Sequence, residues 1–104
     1  MIREKRQHAR ARVDQACSIE RSGTEAIAAM LRDISVGGAF VESSQAIPFG
    51  TELSLVVAQP GEATPLRLSG TVRWAHGDGF GVQFGLLGAR ETFAITQLIK
   101  KSGG

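Results

Sequence analysis

The stretch from Leu66 to Trp74 constrains this chain most. Leu66, Leu68, Gly70, Val72 and Trp74 fall on one side, and Arg67, Ser69, Thr71 and Arg73 on the other. A period of two over nine residues fits an extended strand with one dry and one wet face, and fits no helix. Gly77-Asp78-Gly79 follows with turn chemistry, and Phe80, Val82 and Phe84 alternate after it, so residues 66–85 read as a long antiparallel hairpin. The same period recurs upstream. Val13, Cys17 and Ile19 share one side of 13–20. Ile27, Ala29 and Leu31 share one side of a strand running to Asp33, beyond the turn residues Arg21 to Thr24. Ala39 to Glu42 forms a short strand closed by Ser43-Ser44-Gln45 and Pro48-Phe49-Gly50, and Leu53, Leu55 and Val57 alternate within 51–57.

Only the C-terminus changes period. Ala94, Ile95, Leu98 and Ile99 lie on one face of a helix over 89–101, with Lys100 and Lys101 at the negative end of its dipole. With 104 residues the chain is one domain. Six short strands and one terminal helix predict an all-β fold, a six-stranded antiparallel β-barrel with the C-terminal α-helix across an opening or over one face. The expected organisation is a flexible basic arm over 1–12, a barrel domain over 13–101 and a short tail over 102–104.

The net charge of +2 conceals an asymmetry. Residues 1–12 carry Arg3, Lys5, Arg6, Arg10 and Arg12 against Glu4 alone, a net +4, which leaves the rest of the chain at −2. Clustered guanidiniums seek phosphate or carboxylate. No apolar run approaches the ~20 residues of a spanning helix, and the charged start lacks the apolar stretch of a secretory signal, so a cytoplasmic protein with no membrane association is expected. The single Cys17 has no disulfide partner, and Cys17, His8 and His76 show no metal-ligand spacing, so no metal and no cofactor is expected.

Two short patterns carry chemistry. Arg6 and Arg10 are spaced RxxxR just before the first strand, and a guanidinium can fork onto phosphate oxygens or onto the O6/N7 edge of guanine. Asp33-Ile34-Ser35-Val36-Gly37-Gly38 is spaced DxSxxG at the end of the second strand. Alone it is a turn whose side chains bond nearby amides. It could also offer Asp33 to purine N–H groups, with Ser35 and the backbone at Gly37 and Gly38 close to phosphate.

In order and separation these motifs, together with Gly81-Val82-Gln83-Phe84 and Val72-Arg73-Trp74, resemble the PilZ family over residues 4 to about 100. The resemblance implies a non-enzymatic bacterial receptor that binds cyclic di-GMP on the barrel surface. Arg6 and Arg10 would clamp guanine edges and phosphates, Asp33 and Ser35 would meet a guanine, and Gly38 would let the turn fit beneath it. Lys5, just before RxxxR, stands where the family pattern bears on whether one ligand or an intercalated pair is held. The expected partners are cyclic di-GMP and an effector protein that reads the ordered arm.

Three other readings compete. A hydrolase using Ser35, His76 and Asp33 or Asp78 lacks a GxSxG elbow. A PilZ-fold adaptor without nucleotide affinity would not need the full arginine, aspartate and serine set. A single-stranded nucleic-acid barrel needs surface aromatics, and alternation places Phe80, Phe84 and Trp74 inward, so nucleic acid is not the expected partner. The same logic buries Cys17 beside Ile19.

Overall fold

The computed structural model describes residues 10–59 and 61–101. Six antiparallel strands, β1 (Ala11–Glu20), β2 (Ile27–Ile34), β3 (Gly38–Glu42), β4 (Glu52–Val57), β5 (Leu66–His76) and β6 (Gly79–Phe84), are followed by helix α1 (Ala89–Lys101). The strands close into a barrel in the order β1-β2-β3-β6-β5-β4, as the spacing of alternating segments predicts. β1 begins at Ala11, two residues before the boundary read from the sequence, so the arm's last residues are already strand. Lys5 and Arg6 lie outside the described residues, as do His8 and the 102–104 tail.

The barrel interior follows from the alternation. Ile19, Leu31, Ile34, Val41, Leu55, Val57, Leu68, Val72, Phe80 and Val82 have almost no solvent contact, and Cys17 and Phe84 are buried with them. α1 leans on β1 and β5 and contributes Ile95 and Leu98 to the same core. Its 3.6-residue period buries one stripe, and Lys100 and Lys101 sit in the last turn, where exposed carbonyls favour cations.

The strands are not equally regular. β4 pairs with β5 in unbroken register from Glu52↔Thr71 to Val57↔Leu66, and with β1 from Cys17↔Val57 to Glu20↔Ser54. The β3–β6 seam is unbroken too, from Gly38↔Gln83 to Glu42↔Gly79, while the remaining three slip. β1 against β2 shifts between Arg12 and Gln15, β2 against β3 between Leu31 and Asp33, and β5 against β6 between Val72 and Trp74. Each shift is an extra residue, which reverses the side to which later side chains point.

The last shift corrects one expectation. Unbroken alternation puts Trp74 in the core with Val72, but the bulge leaves both Arg73 and Trp74 facing out, and Trp74 is 45% exposed. Its indole lies over Gly81, where a Cβ would come within 1.9 Å of the ring, so only glycine fits beneath it. The expectation of a surface poor in aromatics fails with it, since Phe49 and Phe93 are also exposed.

Candidate functional site

The bulge in β2 does for Asp33 what the bulge in β5 does for Trp74. In strict alternation Asp33 would follow Ile27, Ala29 and Leu31 into the core, where an unpaired carboxylate is costly. The extra residue near Arg32 turns Asp33 outward, and Ile34 takes the inward place with no exposure. The barrel register then strings Arg12, Asp33, Phe40, Gly81 and Trp74 into one row across β1, β2, β3, β6 and β5. The neighbouring row, Ala11, Ile34, Ala39, Val82 and Val72, faces inward and is buried throughout. Three strand spacings separate Asp33 from Trp74, about 14 Å along the surface.

Between them the surface is paved with glycine. The Phe40 ring lies against Gly79 as the Trp74 indole lies against Gly81, and a Cβ on either glycine would collide with the ring above it. The outer face therefore offers a carboxylate at one side and, beside it, two aromatic rings, Phe40 and Trp74, each seated on a glycine. An aromatic plane of this kind suits a flat heterocycle.

The structure brings the two sequence motifs together at one contact: the Arg10 guanidinium donates to the Asp33 carboxylate in a partly exposed ion pair. Arg10 is the residue before β1, and the Arg12↔Asp33 pairing carries the chain past Asp33 as it enters the strand. Lys5 and Arg6, the other cations expected at the site, are not among the described residues.

The rest of DxSxxG builds the turn. Ser35 is the buried polar side chain of the described core, 4% exposed. Its Oγ accepts from the Gly37 N–H at 3.1 Å and lies 3.4 Å from the Gly38 carbonyl, which also accepts from the Ser35 N–H at 2.8 Å. The Gly37 carbonyl accepts from the Phe84 N–H at 3.0 Å, pinning the turn to β6. Gly38 packs so closely on β6 that a Cβ would stand 2.4 Å from the Val82 carbonyl oxygen. Ser35, Gly37 and Gly38 thus fix the backbone on which Asp33 stands. Among the described residues no cluster of histidine, cysteine or acidic side chains is arranged to hold a metal, and no helix is long and apolar enough to cross a membrane.

Beside the row runs a second set of ion pairs. Asp14 Oδ1 accepts from Arg12 Nε at 2.8 Å and from Arg32 at 3.0 Å, and Arg32 also binds Glu42 through Nε at 2.9 Å and a terminal nitrogen at 2.8 Å. These contacts hold the Asp14 carboxyl below its usual range, the Arg12 bond contributing most, and they raise Arg32. No spacing in the sequence singles out this set, because two bulges bring it together. Trp74 is turned outward by a shift of the same kind, the one between Val72 and Trp74.

Comparison with known proteins agrees with the fold. No curated protein matches the chain by sequence. Among solved structures it is similar to the inhibitor of motility MotI/DgrA of Bacillus subtilis (TM-score 0.77, 20% identity, 94% of this chain and 51% of that one). The chain thus spans about half the length of that protein. It is similar to the PilZ domain of CeSA from a cellulose-synthesizing bacterium (TM-score 0.74, 17% identity, 92% and 99% covered). It is also similar to the PilZ domain of YcgR from Escherichia coli, determined with c-di-GMP (TM-score 0.76, 12% identity, 96% and 92% covered). The PilZ domain family model matches residues 4–100, and a match over nearly the whole length, on a closed six-stranded barrel with one C-terminal helix, means that this chain belongs to the PilZ domain family.

Proposed function

We propose that the protein is a cytoplasmic receptor for cyclic di-GMP, and that its outward row from Asp33 to Trp74 is the fixed half of the binding site. The observation that carries this reading is the Arg10–Asp33 contact, which joins the arm motif to the turn motif on the barrel surface. In this reading Arg10 leaves Asp33 to fork onto phosphate or a guanine edge, and Asp33 accepts from guanine N–H groups. Trp74 and Phe40 flank the base, while Ser35, Gly37 and Gly38 hold the turn in place. Lys5 and Arg6 complete the cationic half. The arm, drawn across the barrel as its charges are neutralised, presents a new surface to an effector protein. The matched family is a regulatory one, and the protein acts by binding, without catalysis.

Calorimetric titration of cyclic di-GMP into the wild type and into Arg10→Ala tests this. Binding heat in the wild type and at least tenfold weaker binding in the variant are expected, since a charge-assisted bidentate contact contributes on the order of 1.5–3 kcal/mol. No heat with the wild type, or equal affinity in both proteins, refutes it.

A further inference from the structure

Asp33 has more guanidiniums near it than it binds. Arg12 is its register partner on β1 and Arg32 is its neighbour in sequence. Each is long enough to swing onto an adjacent carboxylate, and each is bound elsewhere. Asp14 takes Arg12 at 2.8 Å and Arg32 at 3.0 Å, and Glu42 takes Arg32 from the other side. Asp14 does this from an unusual backbone. At φ +47° it is the one non-glycine residue among those described with positive φ, in the bulge between Arg12 and Gln15. Aspartate tolerates that region better than most residues, though at some cost in strain. The geometry spends that strain to aim one carboxylate at two arginines.

We infer that Asp14, supported by Glu42, is a positioning residue that withholds Arg12 and Arg32 from Asp33 and so reserves the Asp33 carboxylate for Arg10 and the incoming ligand. This rests on the receptor reading above and adds to it a cause for selectivity within the arm. Without Asp14, Arg12, the register partner of Asp33, is released to compete with Arg10 for it. Contact between Arg12 and Asp33 blocks the carboxylate and leaves Arg10 unplaced. Arg32 stays on Glu42 in either case.

The test uses Asp14→Gly, which removes the carboxylate while relieving the positive-φ strain, so that the variant keeps its fold. Cyclic di-GMP affinity should fall about three- to tenfold, in the lower part of the range of coupling between residues in one network, as suits solvent-exposed charges. Adding Arg12→Ala should restore it, because the competing cation is gone. A loss that Arg12→Ala leaves uncorrected overturns the inference, as does no loss in Asp14→Gly. A second readout needs no ligand. By NMR, the terminal guanidinium N–H protons of Arg10, which donate to Asp33 in the wild type, should exchange faster with solvent in Asp14→Gly than in the wild type, and should slow again in the double variant. If the wild type gives no heat with cyclic di-GMP, the receptor reading fails alone, and the Arg10 exchange rates still decide the role of Asp14: unchanged rates would end it.

Discussion

The two halves of the barrel follow different rules. In the sector formed by β4, the Leu66–Val72 part of β5 and the Cys17–Glu20 end of β1, register is unbroken and every second residue but the half-buried Gly70 is buried. In the sector that runs from the start of β1 through β2, β3 and β6 to Trp74, three seams slip by a residue. The first sector makes core. The second keeps its core row intact, from Ile34 to Val72, yet turns Asp33 and Trp74 outward where alternation would bury them. A bulge is thus the means by which a small barrel places a carboxylate and an indole on its surface without giving up the apolar row beside them. Stability should be concentrated in the regular sector and ligand affinity in the bulged one.

The largest expected effect tests the first half of that division. Leu68 has no solvent exposure and lies in the unbroken β4–β5 seam opposite Leu55. Leu68→Ala should cost about 2–5 kcal/mol in urea unfolding, through lost burial and the cavity left behind. Cys17 in the same sector reports on it directly. Burial pushes its thiol up to about 11, so a thiol reagent at pH 8 should label the wild type only on unfolding and label Leu68→Ala much faster. Rapid labelling of the folded wild type would break the picture of a tight regular sector.

The same division explains how much could be read beforehand. Alternation in β4, β5 and β6 and the apolar stripe of α1 name the strands, the helix and most of the core, because in those segments side-chain direction is a local property of the chain. The RxxxR and DxSxxG spacings point to Arg10 and Asp33, which the fold does bring together. Trp74 defeated the same reading. Its neighbours Leu66, Leu68 and Val72 point inward, and the residue that reverses it, Arg73, looks like any outward arginine. Whether a strand takes an extra residue depends on its partner, here on the close seat that Gly81 offers the indole. Asp14, Arg32 and Glu42 lie on three strands and meet only through such shifts.

Two substitutions of intermediate size probe the bulged sector. Gly38→Ala places a Cβ 2.4 Å from the Val82 carbonyl, a backbone atom that cannot rotate away. It should cost about 1–3 kcal/mol, as overpacking does, and should weaken ligand binding by disturbing the turn under Asp33. If stability falls and binding does not, the turn and the site are separable. Trp74→Ala should act on both stability and binding. With just over half of the residue buried, its removal should cost about 2–3 kcal/mol of stability, while cyclic di-GMP binding should weaken about tenfold if the indole stacks on a base. A stability loss with unchanged affinity would return Trp74 to a structural role.

The smallest effect is a dependence on pH confined to the bulged sector. The Asp14 carboxyl lies below its ordinary value of 3.8, chiefly through its hydrogen bond with Arg12 and then that with Arg32. A carboxyl depressed by folding stabilises the native state at pH above its unfolded value and loses that contribution as pH falls through the folded value. The contribution of Asp14 should therefore be complete above about pH 4 and fade below it. Asp14→Asn keeps a side chain that accepts positive φ and removes the charge. Urea midpoints of the two proteins should differ by a constant small amount from pH 7 to about 4.5 and converge toward pH 2.5. Salt should narrow the gap at neutral pH, since the group is open to solvent. Curves that stay parallel down to pH 2.5 would show that Asp14 contributes through backbone shape alone, and the bulged sector would then owe its geometry to the chain and not to its ion pairs.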